Sequence, residues 1–166
     1  RSFRILPGHD VDRPFKYALL GPEELFKNCL RENLKERSWQ CLKPVFNYLR
    51  LSPKFFSEDP YNTFNWIMKI SEKIGLKSTF YFFGGKTHLD IDGNYDIHHK
   101  EILQLIKQAF IRGHEIGYHG SYNAYIDHKL MQIEFEALKA VCEKSGIEQQ
   151  KWGSRQHYLR YDIRKT

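Results

Sequence analysis

Three short stretches carry residue types that do chemistry together: Gly8-His9-Asp10-Val11-Asp12, His119-Gly120-Ser121-Tyr122-Asn123 and Arg155-Gln156-His157-Tyr158. They offer carboxylates, imidazoles and a guanidinium, the set that metal-assisted hydrolysis uses. Asp10 and Asp12 are two residues apart, so on an extended chain both side chains project to the same side. Side by side, two carboxylates repel unless a cation separates them. A metal ion on one and an arginine on the other resolves that conflict.

The remaining histidines divide by position. His114 lies five residues before His119, an odd offset that places it on the opposite face of a strand. His157 shares a stretch with Arg155 and is the better source of a further imidazole; His128 serves only if its helix starts at the site. His9, His88, His98 and His99 read as surface or capping residues. Gly84-Gly85-Lys86-Thr87 lacks the earlier glycine of the P-loop spacing, so nucleotide binding is not expected. The run from Phe80 to Phe83 reads as core and Trp66 as helix packing, whereas Trp152 and Tyr158 flank the third stretch and are expected near a substrate. Cys29, Cys41 and Cys142 are too widely spaced for a thiolate metal site and odd in number, which reads as buried thiols.

The elements that must position these residues repeat a simple order. Phe64, Ile67, Met68 and Ile74 fall near helical spacing, Gly75 closes that helix, and Ser78–Phe83 follows as a buried strand. Ile102, Leu105, Ile106, Ala109 and Phe110 form an amphipathic stripe that Gly113 ends, and a strand over His114–Tyr118 comes next. Leu130, Ile133, Ala137, Leu138 and Val141 mark a third helix, capped by Asp127 and closed by Gly146, with a fourth strand over Gln149–Ser154. Phe3-Arg4-Ile5-Leu6 reads as the first strand. Helix, glycine, strand, three times over, gives parallel strands with helical crossovers, either a (β/α) barrel or an open α/β sheet. In both, functional groups gather where strands run into loops, which is where the three stretches fall.

Residues 13–58 break the rhythm. Leu25, Leu30 and Leu34, then Val45, Phe46 and Leu49, suggest helices broken near Pro44 and Pro53: a helical insertion after the first strand. Most of the net charge of +6 falls there. Without an RNA-recognition signature or zinc-finger spacing, it reads as a solvated face, and nucleic acid is not expected as a partner. With 166 residues, 41% of them apolar, the chain can bury a sizeable core. No apolar run is long enough to span a membrane. The start at Arg1 suggests an excised segment.

Taken together, these residues resemble the polysaccharide deacetylases that carry a NodB-homology domain. That family has an Asp pair after its first strand, here Asp10 and Asp12. A Gly-His-Glu-Ile-Gly strand leads to a His-Ser/Thr-x-x-His motif, here Gly113–Gly117 followed by His119 to Asn123. Its Arg-x-Pro-Tyr motif corresponds to Arg155-Gln156-His157-Tyr158, and Lys77–Phe82 is similar to its Ser-Thr-Phe-Phe strand. The resemblance implies a partial (β/α) barrel of the glycoside hydrolase/deacetylase type. It implies a divalent metal, zinc or another transition metal, on Asp12 and His119 with Asn123 at the third ligand position. It makes Asp10 the general base, Arg155 the group that orients it, and the Tyr158 backbone N–H a donor to the oxyanion. The implied partner is an N-acetylated glycan, whose acetamido group is hydrolysed.

Two positions depart from the family. Asn123 stands where the second histidine is expected, so either Asn123 ligates, or another histidine such as His157 substitutes, or the site is degraded. The family's general-acid histidine and at least three more strand–helix units are expected beyond Thr166, with self-association as another way to cover the open barrel. The alternative reading is a non-catalytic domain of the same type that binds glycan or serves as structure.

Overall fold

The structure is a computed structural model that describes residues 5–36, 42–52 and 54–162. Two compact units emerge: one joins the chain up to Asp12 with everything from Phe64 onward, and the other is the insertion Arg13–Thr63.

In the first unit the strands are β1 (Gly8–Val11), β2 (Thr79–Phe83), β3 (Glu115–Gly120) and β4 (Ser154–Gln156). All pair in parallel, in the order β1-β2-β3-β4, as a curled half-barrel sheet. Helices α4 (Phe64–Lys73), α5 (Lys100–Ile111) and α6 (His128–Lys144) connect them. Each of these helices ends with the same device. Gly75, Gly113 and Gly146 take φ near +75° (+73, +78 and +73), and the next N–H reaches back five residues. Those bonds are Leu76 to Ser71, His114 to Ala109 and Ile147 to Cys142. A side chain would strain at that φ, so the glycines set where each helix stops and each strand begins.

Strand register sorts side chains between the two faces. His9, Phe80 and Ile116 form one row, and Val11, Phe82, Tyr118 and Ser154 another, on the face toward the helices. Phe80 there meets Phe64 of α4, and Met68, Ile102, Ile106, Leu138 and Val141 complete the core. The opposite face carries Asp10 beside Tyr81 and Gly117, then Phe83 beside His119 and Arg155. A Cβ on Gly117 would collide with the Tyr81 ring. Its absence lets that ring lie flat across the sheet, and the Arg155 guanidinium sits 4.6 Å above it.

Several sequence expectations shift. Among the described residues strand β1 begins at Gly8, not at Ile5; Ile5 and Leu6 are exposed, and pairing with β2 starts where Thr79 N–H meets the Pro7 carbonyl. Phe3 and Arg4 lie outside the described residues. Strand β4 begins at Ser154 rather than Gln149. The Gln149 side-chain amide takes both backbone groups of Ile116, at 2.9 and 2.7 Å, and so occupies the β3 edge where a ladder would start. Trp66, expected to pack, is 65% exposed, because α4 buries the line Phe64, Met68 and Ser71. On α6 the buried line runs through Glu134, Leu138, Val141 and Cys142, and Ile133 is exposed.

The insertion holds α1 (Pro22–Glu36), α2 (Leu42–Leu49) and α3 (Lys54–Ser57). Pro44 lies within the first turn of α2, where its missing N–H has no helical partner to lose, so it does not break the helix; Pro53 is outside the described residues. Leu25 and Cys29 are buried on α1, while Leu30, Leu34, Phe46 and Leu49 are exposed. The buried Asp59 carboxylate accepts from the N–H groups of Lys16, Tyr17 and Ala18, which fixes the turn before α1. No helix among the described residues is long and apolar enough to cross a membrane.

Candidate metal centre

His119 is the pivot. It lies one residue before the end of β3, almost fully buried, with its ring 4.3 Å from that of Phe83. Its Nδ1 lies 2.9 Å from the Arg155 carbonyl, which only accepts, so Nδ1 carries the proton. That leaves the Nε2 lone pair facing two neighbours, Asp12 Oδ1 at 3.3 Å and His157 Nδ1 at 3.1 Å. His157 Nδ1 and Asp12 Oδ1 are 3.9 Å apart. Burial pulls the His119 imidazole down, but the Asp12 carboxylate, the Arg155 carbonyl and the charge of Asp10 outweigh it and raise its pKa.

Asp12, His119 and His157 are the described histidine, cysteine and acidic residues that gather closely enough to hold one ion. A point equidistant from the three atoms lies about 2.0 Å from each, matching zinc–nitrogen and zinc–oxygen bonds of about 2.0–2.2 Å. His157 is also buried, with no hydrogen-bond partner for its Nε2 among the described residues. One carboxylate and two imidazoles suit zinc or another transition metal, so the residues fit the group.

Beside them, Arg155 Nη1 reaches Asp10 Oδ1 at 3.0 Å. The two aspartates thus have different partners, Asp10 a guanidinium and Asp12 the imidazoles. Tyr158 follows His157 in a left-handed backbone conformation (φ 57°), as does Leu159 (φ 53°), and the Tyr158 side chain is 70% exposed. Two consecutive non-glycine residues in that region are costly, and such strain gathers at functional sites.

Asn123 heads the short 3-10 turn Ala124–Ile126 and gives its backbone N–H to Thr87 Oγ1; the imidazole beside His119 is that of His157, from the third stretch. His128 starts α6 on the surface. His114 is buried on the helix side, accepting from Ser78 N–H and meeting Glu72. His9 is half-buried, stacked on Phe80 and bonded to Ser78, rather than at the surface, and His99 caps α5. Trp152 lies against Phe135 of α6.

Two buried carboxylates that the sequence pattern did not single out hold the rim. Glu134 of α6 accepts from Tyr118 Oη, Ser121 N–H and Ser121 Oγ, gripping β3 on both sides of His119. Its backbone fills the space where a Cβ of Gly84 would be, so that glycine serves close packing. Asp92 accepts from the N–H groups of Thr87, His88 and Tyr122, tying the β2 loop to the β3 loop. Acidic residues in such places carry no periodic signal.

No protein-family model matches the chain, and comparison with curated proteins and with solved structures gives no match.

Proposed function

We propose that the chain carries a metal-dependent hydrolase site of the polysaccharide-deacetylase type, on a partial barrel of the NodB-homology kind, acting on the acetamido group of an N-acetylated glycan. The observation that carries this reading is the convergence of Asp12, His119 and His157 beside the ion-paired Asp10–Arg155 couple. Asp12, His119 and His157 would hold a divalent ion, the His157 imidazole making up for Asn123 at the family's second histidine position. When bound, such an ion supplies Lewis acidity and can bring the pKa of water down to about 7. Asp10 takes the proton of the attacking water, and Arg155 keeps that carboxylate aimed. The Tyr158 N–H is assigned to the oxygen on which charge develops.

Elemental analysis of the purified chain beside an Asp12→Ala, His119→Ala variant tests the reading. Near-stoichiometric divalent metal that disappears in the variant is expected. Metal in neither protein after attempted reconstitution overturns it and leaves a non-catalytic domain.

A further inference from the structure

Arg160 lies three residues beyond His157 and is held in an unusual way. Its guanidinium carbon sits 3.9 Å from the ring centroid of Tyr122 and 4.0 Å from that of Tyr125. Nη1 donates to the Tyr122 carbonyl at 3.0 Å and Nη2 to Tyr125 Oη at 2.6 Å. The backbone N–H of Arg160 bonds the His157 carbonyl, so the residue is coupled directly to the candidate metal centre. A guanidinium has five N–H donors in a rigid fork, and these bonds leave three of them for another acceptor.

What Arg160 lacks among the described residues is an anion. Among the described arginines of this unit, Arg112 pairs with Glu72 and Arg155 with Asp10, but no described carboxylate forms an ion pair with Arg160. It is only partly exposed, so water compensates its charge incompletely. The two ring faces supply part of that compensation and fix the plane of the fork. Nearby rings connect it with the metal donors: Tyr158 meets His157 at 4.5 Å and Tyr122 at 6.1 Å, both edge-on. Tyr158 thus touches both a metal donor and one of the two rings that clamp the Arg160 guanidinium.

We propose that Arg160, clamped by Tyr122 and Tyr125, forms a subsite for an anionic group, a carboxylate or a phosphate, on the ligand of the metal centre. The link to that ligand rests on the reading above; the anion site itself does not. The substrate is then an acidic or phosphorylated glycan rather than a neutral one. Arginine suits both groups because its fork matches two oxygens of either.

The test uses the whole chain labelled with nitrogen-15, titrated with inorganic phosphate, glucuronate or neutral N-acetylglucosamine. The Arg160 Nε–H resonance, assigned by its loss in Arg160→Lys, should shift saturably with the anions and stay put with the neutral sugar. Arg160→Gln should weaken anion binding roughly tenfold or more, and Arg160→Lys less. Tighter binding of phosphate than of glucuronate points to a phosphorylated ligand, and the reverse to an acidic sugar. The Asp12→Ala, His119→Ala variant should bind the anions as the parent does, which separates this subsite from the metal reading. No saturable shift at Arg160, unchanged binding in a folded Arg160→Gln chain, or anion binding that vanishes only with Asp12 and His119 overturns the proposal.

Discussion

At the scale of single residues, the site depends on which atom of each side chain is committed elsewhere. The Arg155 carbonyl accepts a hydrogen bond from the Nδ1–H of His119, and this turns Nε2 toward Asp12 and His157. If His157 is a ligand, His157→Ala lowers divalent-metal affinity by roughly tenfold or more, whereas Asn123→Ala leaves it nearly unchanged. Titration of the apo chain with zinc reads both; the reverse order returns the ligand position to Asn123. Asp10 is committed to Arg155 instead. Asp10→Asn is therefore expected to keep the metal while reducing acetate release from an N-acetylated glycan by about 10²–10⁴. Loss of metal with Asp10→Asn would make it a ligand, not a base.

Among the elements, the ends of α4 and α5 are joined by charge as well as by glycine. Glu72 of α4 takes a double hydrogen bond from Arg112, which follows α5, and also meets His114. The Arg112 guanidinium, ahead of His114, holds the Glu72 carboxyl down at about 2 from an ordinary 4.5. A carboxylate whose folded pKa is depressed stabilises the fold above its unfolded pKa, and that contribution fades as pH falls from 4.5 toward 2. Glu72→Gln should thus lower the Tm at neutral pH, with the gap to the parent narrowing by about pH 3. A gap independent of pH across that range would assign the effect to lost packing. Glu134 acts differently, since its partners are hydroxyls and N–H groups with no described cation bonded to it. Glu134→Ala leaves those donors buried without an acceptor, each at about 1–3 kcal/mol, and thermal unfolding should register it as a clear loss of Tm.

For the molecule as a whole, the sheet ends at β1 on one side and β4 on the other, and each leaves an edge without a strand partner among the described residues. Exposed edges of parallel strands invite pairing, and a closed barrel is the arrangement that removes them. The chain is therefore expected to associate with concentration in sedimentation velocity. A monomer over a hundredfold concentration range, roughly 1 to 100 µM, would count against that expectation. The insertion Arg13–Thr63 is a compact unit in which Phe15, Leu25 and Cys29 are buried and Asp59 fixes the first turn. Its helices were legible in the sequence, but their buried faces were not.

The sequence by itself determined the parts whose physics is local. Gly75, Gly113 and Gly146 end helices because other residues are strained at their φ values, Asp127 caps α6, and the aromatic run Phe80–Phe83 forms a buried strand. The spacing of Asp10 and Asp12 and the position of Arg155 already implied one carboxylate for an arginine and one for an ion. Only the tertiary structure decided which second imidazole joins His119, because His157 and His119 are 38 residues apart and meet through the pairing of β3 with β4. It also decided that Glu134 would face inward in place of Ile133, and that Gln149 would hold the β3 edge. Those outcomes turn on hydrogen-bond partners brought from distant segments, and a pattern of apolar residues along one chain carries no record of them.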